Sequence, residues 1–245
     1  MLLLLLGCAD LLTLAGTLDN LTNPMVVQAW YIGVEPLPDG MDLGDSAWAE
    51  GSSAQAMLAE ASSLDQVEES PVGDAEVVLH IDGEPYELPA DGEGSFASNS
   101  EQGLPWASES DVSLEIQRAG DHSLSLWSPS PPTLDVPDTL RVDSPLSISL
   151  EGQDYDNVMV TVVRLADGET TYDSLPTDIT ELYRLTHSAG SLDVEVPASA
   201  FREPGPYAVG VAGLVNADPD TYDGVNLALS AMTSGALQFA GVVVE

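Results

Sequence analysis

The sequence predicts an all-β protein made of two antiparallel β-sandwich-like domains. Three observations carry this. Short runs alternate apolar and polar residues with period two, the mark of a strand with one buried face. Asp-Gly and Gly-Asp pairs stand between those runs, where tight hairpins need φ > 0. A Pro-rich break, Ser128-Pro129-Ser130-Pro131-Pro132, divides the strands into two groups, which sets domains at 25–132 and 133–245. A chain of 245 residues that is 44% hydrophobic has enough apolar side chain for both cores.

The chain opens on Met1-Leu2-Leu3-Leu4-Leu5-Leu6-Gly7-Cys8. An apolar run followed by a small residue is how a secretory signal ends, and a membrane-spanning helix would need about 20 apolar residues. A cysteine directly after Leu-Leu-Gly resembles the lipobox of bacterial lipoproteins. The resemblance implies that residues 1–7 are the remnant of a removed signal peptide. It implies that Cys8 is the lipidation site, carrying palmitate-type chains. It places the protein in a bacterial cell envelope, at the outer membrane or cell surface, with the membrane as partner through those chains. The run departs from the family in having only five leucines and no basic flank, which implies a start codon upstream of Met1. Residues 9–23 put Leu11, Leu14, Leu18 and Leu21 at helical spacing, interrupted by Gly16, so 8–24 reads as a lipidated, short helical tether.

Pro24 then opens Met25–Val34, a β-branched and aromatic run that reads as a strand. From about 35 to 73 the chain is rich in Pro, Gly, Ser and acids; it reads as a flexible acidic insertion with one helical candidate at Ala54–Leu64. From Ala75 the period is two: Val77, Leu79 and Ile81 share a face, and Glu76, His80 and Asp82 share the other. Asp82-Gly83 turns the chain into Tyr86-Glu87-Leu88. Val112, Leu114 and Ile116 form the next strand, Gly120-Asp121 turns it, and Leu124 and Leu126 complete the first domain.

The second domain has alternating strands at Leu146–Leu150, Val158–Leu165 and Thr170–Tyr172, with Asp167-Gly168 turning the second into the third. Leu192–Val196, the run from Tyr207, Leu237–Phe239 and Val242–Val244 follow. Glu203-Pro204-Gly205-Pro206-Tyr207-Ala208-Val209 resembles the tyrosine corner of immunoglobulin-like and fibronectin type III domains. In such folds a tyrosine starts strand F and its hydroxyl bonds back to the chain, which makes Tyr207 the structural candidate. The resemblance spans roughly 135–245 and implies a fold, not an activity. Val209 stands where an antibody domain would have its second cysteine.

Composition excludes several chemistries. With Lys+Arg 5 against Asp+Glu 41, net charge −36, nucleic acid is excluded as a partner, because binding phosphates means neutralising them. The chain has no lysine, so Schiff-base and P-loop chemistry are absent. One cysteine excludes an internal disulfide and a multi-cysteine zinc site. All five arginines lie after residue 117, and the acids before it read as solvated surface. Gly44-Asp45-Ser46 looks like the nucleophile block of GDSL-type hydrolases, but no histidine follows an aspartate by three residues, and no G-x-S-x-G is present. His80, His122 and His187 are scattered. Trp30, Trp48, Trp106 and Trp127 are residue types that stack on sugars, although core packing explains each as well.

No cofactor is required, and calcium is the one cation the sequence invites. Asn216-Ala217-Asp218-Pro219-Asp220-Thr221-Tyr222-Asp223-Gly224 gathers oxygen donors on one turn, with Asp218, Asp220 and Asp223 as candidate ligands. Asp154 and Asp156 would share that end in an immunoglobulin-like order. The spacing is not that of an EF-hand, and an Asp/Pro/Gly turn without metal reads from it more readily than a calcium site does. The expectation is a lipid-anchored acidic envelope protein, not an enzyme, acting as a binding or structural module with a protein or glycan as partner. The rival is an envelope hydrolase whose site is assembled from distant residues.

Overall fold

The computed structural model describes residues 24–43, 51–176 and 179–245. Cys8, the tether, the Gly44-Asp45-Ser46 block and Trp48 lie outside the described residues. Within them the chain is all-β, with two short α-helices and three short 3-10 turns.

The first strand, β1 (Met25–Val34), pairs antiparallel with β2 (Gly51–Glu60). The β2 stretch corrects the sequence reading of an insertion carrying a helix at Ala54–Leu64. Alanine favours helix, but Ala54 and Ala56 alternate with Gln55 and Met57, and their small side chains sit beside Tyr31 and Phe96. Backbone pairing on both sides, with aromatic rings filling the space above the alanines, outweighs a propensity worth a few tenths of a kcal/mol per residue. A single helical turn, α1 (Leu64–Val67), follows. Next come β3 (Glu76–Ile81), β4 (Glu84–Glu87), β5 (Ala90–Gly92) and β6 (Ser95–Asn99). The Asp82-Gly83 turn has φ +50° and +83°, both in the left-handed region a two-residue hairpin requires. β7 (Asp111–Gln117) and β8 (Asp121–Trp127) complete the first group.

The Pro-rich break is tied to both groups: the fully buried Ser128 donates its hydroxyl to the Ala107 carbonyl and accepts from the Ser110 amide, and Tyr155 donates its hydroxyl to the Ser130 carbonyl. Then follow β9 (Thr139–Leu140), β10 (Leu146–Ser149), β11 (Asn157–Arg164) and β12 (Glu169–Asp173). Helix α2 (Ile179–His187) precedes β13 (Asp193–Val196), β14 (Gly205–Asn216) and β15 (Ala231–Val244).

One large sheet runs β12-β11-β14-β15-β1-β2-β6-β5, with β9 beside the end of β15; β4-β3-β7-β8 and β10-β13 form two smaller sheets. The first half of β15 pairs in parallel with β1, from Gln28 opposite Ala231 to Val34 opposite Leu237, and its last residues pair with β9. The two sandwiches therefore share a sheet. Met232 packs in the core under β3 and β7, whereas Val242 and Val244 pack in the core under β10 and β13. These are all even positions of one strand, so both cores lie on the same face. The first core also takes in Ala217 and Val225, so packing crosses residue 133. Alternation shows each strand's buried face but not this parallel seam between residues about 200 apart.

Candidate functional site

The opposite face of the large sheet carries even-numbered residues of β1 and odd-numbered residues of β2 and β15. At the β11–β14 end it is closed by Leu37, Met41 and Leu43, which pack over Met159, Leu237 and Phe239. Near the start of β1, Val67 of α1 and Leu229 cover Val26 and Ala59. Between these patches a groove of about 940 Å³ remains. Its floor is Trp30, Ile32, Val34 and Met57; one wall is Leu182 and Leu185 of α2, and the other runs from Pro71 and Gly94 to Asn99. Glu68, Glu93 and Glu101 stand at its rim, exposed.

Helix α2 stands as a wall because its last carbonyls are capped from the sheet. Asn157 of β11 donates to the carbonyls of Leu185 (2.7 Å) and Ser188 (2.9 Å), and Asn216 of β14 donates to Leu185 (3.0 Å). The Tyr183 hydroxyl donates to the Ala228 carbonyl. His187 stacks on the Tyr183 ring, with centroids 3.9 Å apart. Burial pushes the His187 pKa below its ordinary value, partly offset by the carbonyls of Tyr183 and Ser230. Sequence reading passed over this helix, although Leu182, Leu185 and Thr186 have helical spacing and Arg184 and His187 occupy its last turn.

One polar side chain in the groove floor stands out. Gln28 is 2% exposed; its amide nitrogen donates to the Leu229 carbonyl, and its Oε1 has no partner among the described residues. An unpaired buried acceptor costs roughly 1–3 kcal/mol.

The residues singled out in the sequence take up other positions. Tyr207 is 1% exposed, donates its hydroxyl to the Glu203 carbonyl at 3.0 Å and meets Phe201 edge-on. Asp218 caps the 3-10 turn Pro219–Thr221 by accepting from the Asp220 amide at 2.9 Å. Asp223 pairs backbone to backbone with Ser123, and Thr221 donates to the Ser125 carbonyl. Asp156 reaches this end, accepting from the Asn216 amide at 2.8 Å, but as a backbone partner. Among the described residues no three carboxylate, imidazole or thiol groups converge in a way that would hold a metal ion.

The histidines are dispersed. His80 faces Glu115 across the sheet at 3.3 Å, and His122 Nδ1 meets the Gly224 carbonyl at 2.6 Å. Trp106 is packed on Tyr31, with its indole donating to Glu35; a Cβ added to Gly33 would lie 1.8 Å from that ring. Trp127 is 54% exposed, and Trp30 is the tryptophan that lines the groove. Arg164 gathers three carboxylates: Asp167 and Glu203 contact it at 2.7 and 2.8 Å, with Glu169 beside them. The hydrogen bond to Asp167, and then the charges of all three carboxylates, raise its pKa, and the same hydrogen bond holds the Asp167 carboxyl below the usual range. This cluster ties the β11–β12 hairpin to the loop before Tyr207.

No family model matches the chain, and no curated protein does. Among solved structures, it resembles a two-domain fibronectin type III segment of chicken tenascin at 12% identity and TM-score 0.24, covering 66% of this chain and 84% of that one. A BSP domain of a biofilm-associated protein matches at 11% identity and TM-score 0.24, over 90% of this chain and 29% of that one. A bacterial ice-binding adhesin matches at 13% identity and TM-score 0.22, over 90% of this chain and 66% of the other. Overlap at this level adds nothing to the strand arrangement described above.

Proposed function

We propose that this chain is a lipid-anchored, acidic binding or structural module of a bacterial envelope, displayed at the outer membrane or cell surface. The observation that carries the reading is Leu-Leu-Gly-Cys at the end of an apolar run, in a chain with no other cysteine. Two or three acyl chains on Cys8 suffice for stable anchoring, where one is marginal. A net charge of −36 repels anionic headgroups, so the lipid and not the protein surface would hold the molecule to its membrane. Each histidine has a structural neighbour, which favours a module over a hydrolase.

The test is expression behind a complete secretory signal, followed by detergent partition and mass measurement of the mature N-terminus. The wild type should enter the detergent phase with an acyl mass on Cys8, and Cys8→Ser should not. Wild-type recovery of Cys8→Ser in the membrane fraction would contradict the reading.

A further inference from the structure

We propose that the groove over β1 and β2 binds an elongated apolar molecule with a protonated primary amine at one end, a long-chain alkylammonium. The inference does not rest on acylation at Cys8, and its test uses an unacylated chain, so either reading can fail without the other.

The shape of the groove selects a thin, extended ligand. Trp30, Ile32, Val34, Met57, Leu182 and Leu185 line it with apolar surface, and a patch of this kind marks an interaction site. Its volume of about 940 Å³ falls among those of small-molecule sites, which are mostly apolar with a few placed polar groups. Gln28 to Val34 spans about 20 Å at strand rise. A helix of that length, about 10 Å across, takes up about 1,600 Å³ and would leave much of itself outside. An extended alkyl chain can be enclosed along the whole floor. β1 is paired on both sides by β15 and β2, and β2 by β1 and β6, so the floor offers no free sheet edge to a peptide strand.

The polar groups fix the charge and direction of the ligand. Glu68, Glu93 and Glu101 line the groove, and no Lys, Arg or His does among the described residues. Such a rim repels an anionic head and attracts a cationic one. Two of the glutamates stand at one end. Gln28 lies opposite Met57, Met57 lies opposite Ser95, and the Leu58 amide donates to the Gly94 carbonyl, which brings Glu93 to the row of Gln28. Pro71 bridges to Ala59 nearby, and Glu68 precedes it at the end of α1. Gln28 lines the groove at this same end, 2% exposed, with its Oε1 unpartnered among the described residues. The two carboxylates balance the ammonium there, and one of its N–H groups donates to Gln28 Oε1. A quaternary ammonium has no N–H to give, so this oxygen discriminates against it. The alkyl tail runs towards Ile32 and Val34, where Leu185 packs.

The experiment uses the full chain with Cys8→Ser and dodecylamine carrying a diazirine in its tail, below its micelle concentration. Dodecanoate and dodecyltrimethylammonium with the same diazirine are the comparison probes, and labelled peptides are mapped by mass spectrometry after irradiation. The amine should label β1, β2 and α2 around Ile32, Met57 and Leu185, at concentrations severalfold below those the other two probes need. Glu68→Gln with Glu93→Gln should weaken this labelling severalfold. Glu84→Gln with Glu87→Gln, the same charge change on β4 of another sheet, should leave it unchanged. Equal weakening by the two pairs would mean attraction to the acidic surface as a whole and would overturn the proposal. So would equal labelling by all three probes, or no label on these elements. Labelling that falls as a dimer forms would assign the groove to a second copy. Displacement by a basic helical peptide at lower concentration than by unlabelled dodecylamine would assign it to a protein partner, and either result overturns the proposal.

Discussion

Single side chains decide local geometry here through specific, checkable contacts. Tyr207 closes the corner before β14 with one hydroxyl-to-carbonyl bond, and its ring fills the second core against Phe201. Tyr207→Phe keeps the ring and removes the bond, so it should lower stability by about 1 kcal/mol, the net worth of one hydrogen bond. Denaturant titration of the two proteins measures this, and an unchanged midpoint would show that the bond contributes nothing. The residues legible in the sequence are those obeying a local rule. Asp82-Gly83 could be placed in a turn because its two positions need positive φ, and Tyr207 because its surrounding prolines and glycine fit a known corner. Gln28 was not legible: a glutamine in an apolar run shows neither its burial nor its unpaired oxygen.

At the scale of elements, alternation placed β3, β7, β8 and β10, which bury one face on a core, while β1 was legible as a β-branched and aromatic run and β11, its valines alternating in the sequence, is buried on both faces. It failed for β2, where alanine and serine give little contrast between faces and the strand is held by neighbours on both sides. It failed for α2, a nine-residue helix whose stability comes from caps supplied by Asn157 and Asn216 on distant strands. The groove was illegible for the same reason, because its floor and walls come from β1, β2, α2 and the loops around β6. Helix α2 also carries a pH dependence. His187 has a depressed folded pKa, so protonation favours the unfolded chain, and its penalty grows as pH falls below the ordinary value of about 6.5. Acidification also neutralises carboxylates, so the informative quantity is a difference. Between pH 7.5 and 5 the melting temperature of wild type should fall relative to that of His187→Gln. Parallel curves would remove His187 from the account.

The whole molecule is a strongly acidic body whose halves are joined by one sheet. Like-charge repulsion opposes the compact state, and added salt shortens the Debye length from about 10 Å at 0.1 M to about 3 Å at 1 M. The melting temperature should therefore rise with sodium chloride. Because Asp218 is used as a cap and no three ligands converge among the described residues, millimolar calcium and magnesium should shift it alike. A larger shift with calcium that Asp220→Asn abolishes would instead mark a specific site at Asp218, Asp220 and Asp223.

The parallel seam of β1 and β15 makes the two cores one cooperative unit, and a substitution in one core tests this directly. Leu114 is 1% exposed in the core beneath β7, far from the packing around Phe201 and Tyr207. Leu114→Ala should cost about 2–5 kcal/mol. The decisive measurement is hydrogen exchange of the full chain with and without this substitution, read separately at β3 and β7 and at β10 and β13. Coupling through the shared sheet predicts that the slowest amides of both groups lose the same protection, within one unfolding transition. Loss confined to β3 and β7, with β10 and β13 protected as in wild type, would contradict it.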